Sequence, residues 1–137
     1  MYEENALHQQ WLEGFIEELD AFAGTVHVQR GDDLYLTAAH NIPPHVVQIV
    51  AHVPHGKGMA GVAQVKKTPV QTCNLQTDAS GTIKPGAKAV DAQAAVALPV
   101  LDPSGAVRAV VGVAWRREGE IGAEQEQSMM QRAAQLP

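Results

Sequence analysis

The stretch from Ala94 to Arg116 constrains the fold of this chain more than any other. Ala94–Leu101 and Ala106–Arg116 are apolar at nearly every position, and Asp102-Pro103-Ser104-Gly105 lies between them. Pro at the second place and Gly at the fourth suit a type I turn. Two strands joined so closely must run antiparallel. Because they do not alternate, they are expected to be central strands covered on both faces. That same property leaves their mutual register open.

A second hairpin is expected upstream. Thr25–Arg30 and Leu34–His40 both alternate, with Gly31-Asp32-Asp33 between them. A three-residue loop pairs Arg30 with Leu34, Val28 with Leu36 and Val26 with Ala38, so the apolar residues share a face. A two-residue loop sets Val28 against Tyr35 and spoils that match, so the longer loop is expected. Between the hairpins, Pro43-Pro44 opens a short helix over His45–Val50. Ala51–His55 is an edge strand or no strand, because of Pro54. Gly56-Lys57-Gly58 turns the chain into a helix over Met59–Lys66, and Pro69–Cys73 is a strand. Asn74–Ala92 is a long irregular segment, of a length usually functional or disordered in a compact domain.

Helices flank this middle part. Over residues 4–21, Leu7, Trp11, Leu12, Phe15, Ile16 and Leu19 fan across about half of a helical circumference. That arc is wider than one face on one sheet requires. Either the helix is tucked under a loop, or its Leu7–Trp11 edge meets a second subunit. A closing helix near Ala123–Leu136 carries Met129, Met130, Ala133 and Leu136. The order of elements predicts one α+β domain over 1–137, an antiparallel sheet with helices on its faces. Its parts are an N-terminal helix in 1–22, the sheet, short helices and a pocket loop in 23–117, and a C-terminal helix in 118–137.

Composition removes several functions. With 137 residues, 45% apolar and 18% charged, the chain is globular. A net charge of -5, with no Lys/Arg run longer than two, argues against nucleic acid. The one cysteine, Cys73, precludes an intramolecular disulfide or a cysteine metal cage. The start Met-Tyr-Glu-Glu lacks a signal-peptide pattern. No apolar run approaches the roughly 18 to 20 residues that cross a bilayer. A cytoplasmic location, no membrane and no metal are expected.

Over nearly its whole length the chain resembles a GAF domain. The segments that carry the likeness are Thr25–His40, His55-Gly-Lys-Gly-Met-Ala-Gly61, Thr68-Pro-Val-Gln-Thr-Cys73, Ala97-Leu-Pro-Val-Leu101 and Ala109-Val-Val-Gly-Val-Ala114. Cys73-Asn-Leu-Gln-Thr-Asp78 is also similar to stand-alone bacterial GAF proteins of unnamed ligand. The resemblance implies a PAS-like antiparallel sheet of five to six strands, its first and last strands neighbours, with N- and C-terminal helices packed together. It implies a ligand between the sheet and the loop-and-helix segment before the second hairpin. It also implies a homodimer bundled through the terminal helices, for which Leu7, Trp11, Phe15, Met129 and Ala133 are the candidates. An effector domain or partner protein in trans would receive the output.

The catalytic relatives by resemblance are free methionine-R-sulfoxide reductases. Ala60 stands where that family places a cysteine, another family cysteine falls near Lys88, and its pocket carboxylate falls near Ala95. A redox cycle here would need Cys73 with an external thiol. Gly56-Lys57-Gly58-Met59-Ala60-Gly61 formally matches a dinucleotide fingerprint, with Asp78 at a suitable distance. Its context fails, since His52, Pro54 and His55 precede it where a buried strand is required; the glycines more simply allow a tight turn and close packing. No Walker pattern occurs. The six histidines show no obvious triad, and His27 is expected opposite Thr37. Haem on one axial histidine stays open. Bilin attachment is disfavoured by Asn74 after Cys73, and the cyclic-nucleotide motif is not recognisable.

The expected function is a non-catalytic sensory or regulatory module for an unknown small polar ligand, with no predicted cofactor. Cys73, Asn74, Gln76, Thr77, Asp78, Ser80, Lys84, Lys88 and Asp91 would surround it, with Val96 and Leu98 as an apolar floor. The alternatives are a methionine-sulfoxide-type enzyme using Cys73 and a purely structural dimerisation module.

Overall fold

The computed structural model describes residues 4–72, 94–116 and 121–137. In chain order the elements are α1 (Ala6–Leu19), β1 (Ala23–Arg30), β2 (Asp33–His40), α2 (Pro44–Val50), β3 (His52–Val53), α3 (Gly58–Lys66), β4 (Val70–Thr72), β5 (Ala94–Leu101), β6 (Val107–Trp115) and α4 (Ala123–Ala133). The strands form one sheet in the order β3-β2-β1-β6-β5-β4, and every pairing is antiparallel. The first and last strands are therefore neighbours at its centre.

The β5–β6 turn closes as its residues require. The Gly105 N–H donates to the Asp102 carbonyl at 2.9 Å. The Asp102 carboxylate accepts from the Ser104 N–H, the Ser104 hydroxyl and the Ala106 N–H at 2.8, 2.6 and 3.1 Å. These bonds, the Ser104 hydroxyl foremost, hold the Asp102 carboxyl below its ordinary range. The register left open by pattern places Leu98 opposite Val111 and Ala94 opposite Trp115.

The first hairpin departs from expectation. Arg30 pairs with Asp33 and Val28 with Tyr35, so the loop has two residues, not three. Gly31 takes φ 64 at the first loop position, a conformation that favours glycine. A β-bulge between Val26 and His27 then restores the Val26–Ala38 pairing. The apolar match is achieved by an extra residue inside β2, Thr37, and not in the loop. His8 of α1 holds that residue, with Nδ1 2.8 Å from the Thr37 hydroxyl and Nε2 2.9 Å from the Pro137 carbonyl.

Alternation divides the sheet's side chains between two layers. On one face α1 and α4 contribute Leu12, Phe15, Ile16, Met129 and Ala133, packed on Val26, Val96, Leu98, Val111, Val113 and Trp115. Asn5 caps α1, accepting from the Leu7 and His8 N–H groups at 3.0 and 3.1 Å. Arg132 of α4 reaches Glu18 of α1 with Nε at 3.0 Å and a terminal guanidinium nitrogen at 2.7 Å. On the other face α2 and α3 pack over smaller clusters that include Ala23, Val46, Leu34, Ala63 and Val110.

This packing corrects the expected dimer surface. Phe15, Met129 and Ala133 are fully buried inside one chain, because the arc of α1 is consumed by the sheet and α4 together. Of the five candidates only Leu7, 63% exposed, lies open on the surface, while Trp11 is half-buried and packs against the core. Among the described residues no helix is long and apolar enough to cross a membrane.

Candidate functional site

The face of the sheet turned away from α1 and α4 is unusually shallow at its centre. There the inward positions of β1, β5 and β6 are Ala23, Thr25, Ala95, Ala97, Gly112 and Ala114. The strand pairings set them side by side: Ala23 and Ala95 both lie opposite Ala114, and Thr25 and Ala97 both lie opposite Gly112. Such residues give the overlying helices little to rest on. Between this floor and the underside of α2 and α3 lies a cavity of about 440 Å³, walled by Val46, Ile49, Val50, Met59 and Ala60 among others. That volume is in the range of small-molecule sites.

The polar side chains among the described lining residues are Thr25, His27, His52 and Lys57. His27 is buried, and its Nε2 lies 2.8 Å from the Val50 carbonyl. Burial lowers its pKa to about 4, against the smaller raising effect of the bond to Val50. At neutral pH the ring is therefore neutral. Nε2–H donates to Val50, and Nδ1 is left as a bare acceptor with no partner among the described residues. Across the hairpin His27 faces Leu36, not Thr37 as expected, because the bulge shifts β2 by one residue.

His52 stands at the exposed edge. Its Nε2 is 2.7 Å from an Asp33 carboxylate oxygen, and its ring stacks on Tyr35 at 4.9 Å and 6°. Asp33 also accepts from the His55 N–H at 3.1 Å. These two bonds, the one to His52 foremost, keep the Asp33 carboxyl below its ordinary range. They tie β3 and the turn after it to the first hairpin, at one end of the cavity wall. Among the described residues no three His, Cys, Asp or Glu side chains converge as a metal site would require.

The glycine-rich segment is a structural turn. Gly56 and Gly58 take φ 75 and 66. A Cβ on Gly61 would lie 2.6 Å from the Gly56 carbonyl carbon, so the first turn of α3 sits directly on the backbone of the preceding turn. Gly61→Ala should therefore cost about 1–3 kcal/mol by overpacking. Urea denaturation would measure it, and an unchanged midpoint would mean that α3 does not rest on the backbone of the preceding turn.

Sequence reasoning located the cavity only in part. Val96 and Leu98, expected as its floor, carry their side chains into the core under α1 and α4; Val96 still borders the cavity, but the β5 side chains that face it are Ala95 and Ala97. Cys73, Asn74, Gln76, Thr77, Asp78, Ser80, Lys84, Lys88 and Asp91 lie outside the described residues. Thr25, His27 and Met59 were missed as lining residues. The available signal was the Ala/Gly pattern at 95, 97, 112 and 114.

No protein-family model matches the chain, and no curated protein matches it in sequence. Solved structures do match in shape. The GAF domain of an Acinetobacter phosphoenolpyruvate-protein phosphotransferase aligns with a TM-score of 0.75 and 14% identity, covering 97% of this chain and 81% of that one. A putative GAF sensor protein from Burkholderia vietnamiensis gives 0.74 and 14%, covering 98% and 80%. The type II free methionine-R-sulfoxide reductase from Thermoplasma acidophilum gives 0.72 and 17%, covering 93% and 87%. The chain has the GAF fold. At such identities the likeness extends to architecture, and the GAF fold serves both a sensor and a reductase among these neighbours. In this GAF-fold chain Ala60 lines the cavity.

Proposed function

We propose that this chain is a sensory or regulatory module of the GAF fold that binds a small ligand in the cavity between the sheet and α2–α3, with no catalytic residues of its own. The observation that carries this reading is the apolar cavity of about 440 Å³ between the sheet and α2–α3. The described lining holds neither carboxylate nor thiol. Output has a short physical route. Thr25 and His27 face the cavity, while Val26 between them packs against the α1–α4 layer. Displacement of β1 would thus reach the terminal helices and whatever partner or second copy meets Leu7 and Trp11.

The test is a thermal-shift screen of nucleotides, amino acids, their sulfoxides, haem, small carboxylates and neutral ring compounds. It is run on the wild type and on Ala95→Leu/Ala114→Leu, which fills the floor. A true ligand should give about 2.7 kcal/mol of stabilisation at a hundredfold excess over its dissociation constant. The filled variant should stay folded and lose that gain. Stabilisation equal in both proteins would move binding elsewhere. A flat screen with a dimer in sedimentation would leave a structural dimerisation module. Turnover of free methionine sulfoxide that requires Cys73 would replace the sensor with a redox enzyme.

A further inference from the structure

We propose that the outer edge of β2 at Ala39 is a strand-pairing surface held shut by Gln9 of α1. The partner it fits, once Gln9 lets go, is the same edge of a second copy of this chain. The backbone hydrogen bonds of β2 point there. An edge strand must place its outward N–H and C=O groups somewhere. β3 pairs with β2 at Leu34 and Tyr35, and just beyond them the Leu36 N–H donates to the Ala51 carbonyl at 2.9 Å. From there on the partner is α1. The Thr37 carbonyl accepts from the Asn5 N–H at 2.7 Å. The Ala39 N–H donates to the Gln9 side-chain oxygen at 3.1 Å, and the Ala39 carbonyl accepts from the Gln9 amide nitrogen at 2.9 Å.

A primary amide carries the same donor and acceptor as a peptide bond. Gln9 therefore supplies at Ala39 the two bonds that one residue of a neighbouring antiparallel strand would supply. The surface so guarded is self-complementary. In a hydrogen-bonded antiparallel pair the two residues exchange both N–H···O bonds, so two copies of Ala39 related by a twofold axis satisfy each other.

The closed form is held by polar contacts. Asn5, Ala6 and Leu7 are exposed, and the first fully buried apolar side chain of α1 is Leu12. The first turn of α1 thus rests on β2 through Asn5, His8 and Gln9, with bonds that another strand can replace. Pairing of two copies requires that turn to swing away while Leu12, Phe15 and Ile16 stay seated on the sheet. At the opposite edge Gln71 of β4 makes a like pair of bonds to Ile121, accepting from its N–H at 2.9 Å and donating to its carbonyl at 3.3 Å. It touches no group of β2 and so provides the control.

Amide exchange at Ala39, followed by NMR, and sedimentation are measured at low and high protein concentration. The proteins are the wild type, Gln9→Ala, Gln9→Ala/Ala39→Pro and Gln71→Ala. Alanine keeps the helical propensity of α1. Proline at 39 removes the outward N–H and leaves the β1–β2 ladder alone, because that N–H points to Gln9. In the wild type the Ala39 N–H should exchange slowly, and equally at both concentrations. In dilute Gln9→Ala it should exchange about tenfold faster, the size of one net hydrogen bond. When concentrated it should be slow again, with self-association beyond that of the wild type. Ala39→Pro should abolish that added association, and Gln71→Ala should not show it. Exchange at Ala39 of Gln9→Ala that ignores concentration would overturn the proposal. So would added association that survives Ala39→Pro, or that Gln71→Ala shares, since either places its cause elsewhere. Fast exchange of the wild-type Ala39 N–H would overturn it with no substitution at all. None of these outcomes depends on the cavity, so the functional reading stands or falls separately.

Discussion

Phe15→Ala should remove about 3–5 kcal/mol of stability, the usual loss when a fully buried aromatic ring is cut back. Phe15 has no exposed surface, and its ring stacks on Trp11 with centroids 4.8 Å apart at 25°. The Arg132 guanidinium stands 5.9 Å from the same ring. The truncation therefore opens a void where α1, α4 and the sheet meet, and loosens the Glu18–Arg132 tie beside it. Urea denaturation would give the loss as a lower midpoint at unchanged slope. The dependence on concentration is equally informative. A contact inside one chain gives the same loss at every protein concentration, whereas a contact across a dimer gives a loss that shrinks on dilution, as the wild type itself dissociates. Leu7→Ala is the surface control and should move stability by less than about 0.5 kcal/mol. A Phe15→Ala loss under about 1 kcal/mol would mean that α1 is not seated on the sheet.

Acid should weaken the fold well before its carboxylates protonate. In the unfolded chain His27 titrates near its ordinary 6.5, while in the fold burial lowers it to about 4. Between those values the unfolded chain binds a proton that the native chain refuses, so stability falls as the pH falls. The contribution is fully present above about 6.5, lost progressively towards about 4, and on the order of 3 kcal/mol across that window. The bonded carboxyls of Asp33, Asp102 and Glu18 are held below their ordinary values. Their contributions are present above those ordinary values and disappear as the pH falls through the lowered ones. They therefore act at the acid end, below the main His27 window. Urea midpoints at pH 7 and pH 5, for the wild type and His27→Gln, separate the two. The wild type should lose stability between them and the variant should lose much less. Equal losses would assign the effect to another group.

What could be read from residues alone was whatever rests on local chemistry. Asp102-Pro103-Ser104-Gly105 specifies its own turn, and the hairpin around it followed. The first hairpin was misjudged in its loop because a bulge at Thr37 satisfies the same apolar pairing by another route. The floor of the cavity was hidden for a different reason. In β5 and β6 both faces are apolar, so nothing local says whether Val96 or Ala95 turns towards α1 and α4; that is decided by long-range packing. Polar residues between Cys73 and Asp91 are the conspicuous site candidates in the sequence, yet the described part of the cavity is marked by small side chains on its floor. Of His27 the sequence offers only an expected place opposite Thr37, and only the fold reveals its bond to the Val50 carbonyl and its burial.

The adjacency of β1 and β6 has a bearing on how the chain reaches this structure. Ala23 finds Ala114 about ninety residues further along, so the central pairing closes a longer loop than any other strand pairing described in the sheet. The β1–β2 hairpin can form early, but its inner edge stays open until β6 has been made. Folding should accordingly be limited by a late, non-local step. During synthesis the exposed edge of β1 is the place where a second nascent copy could pair by mistake.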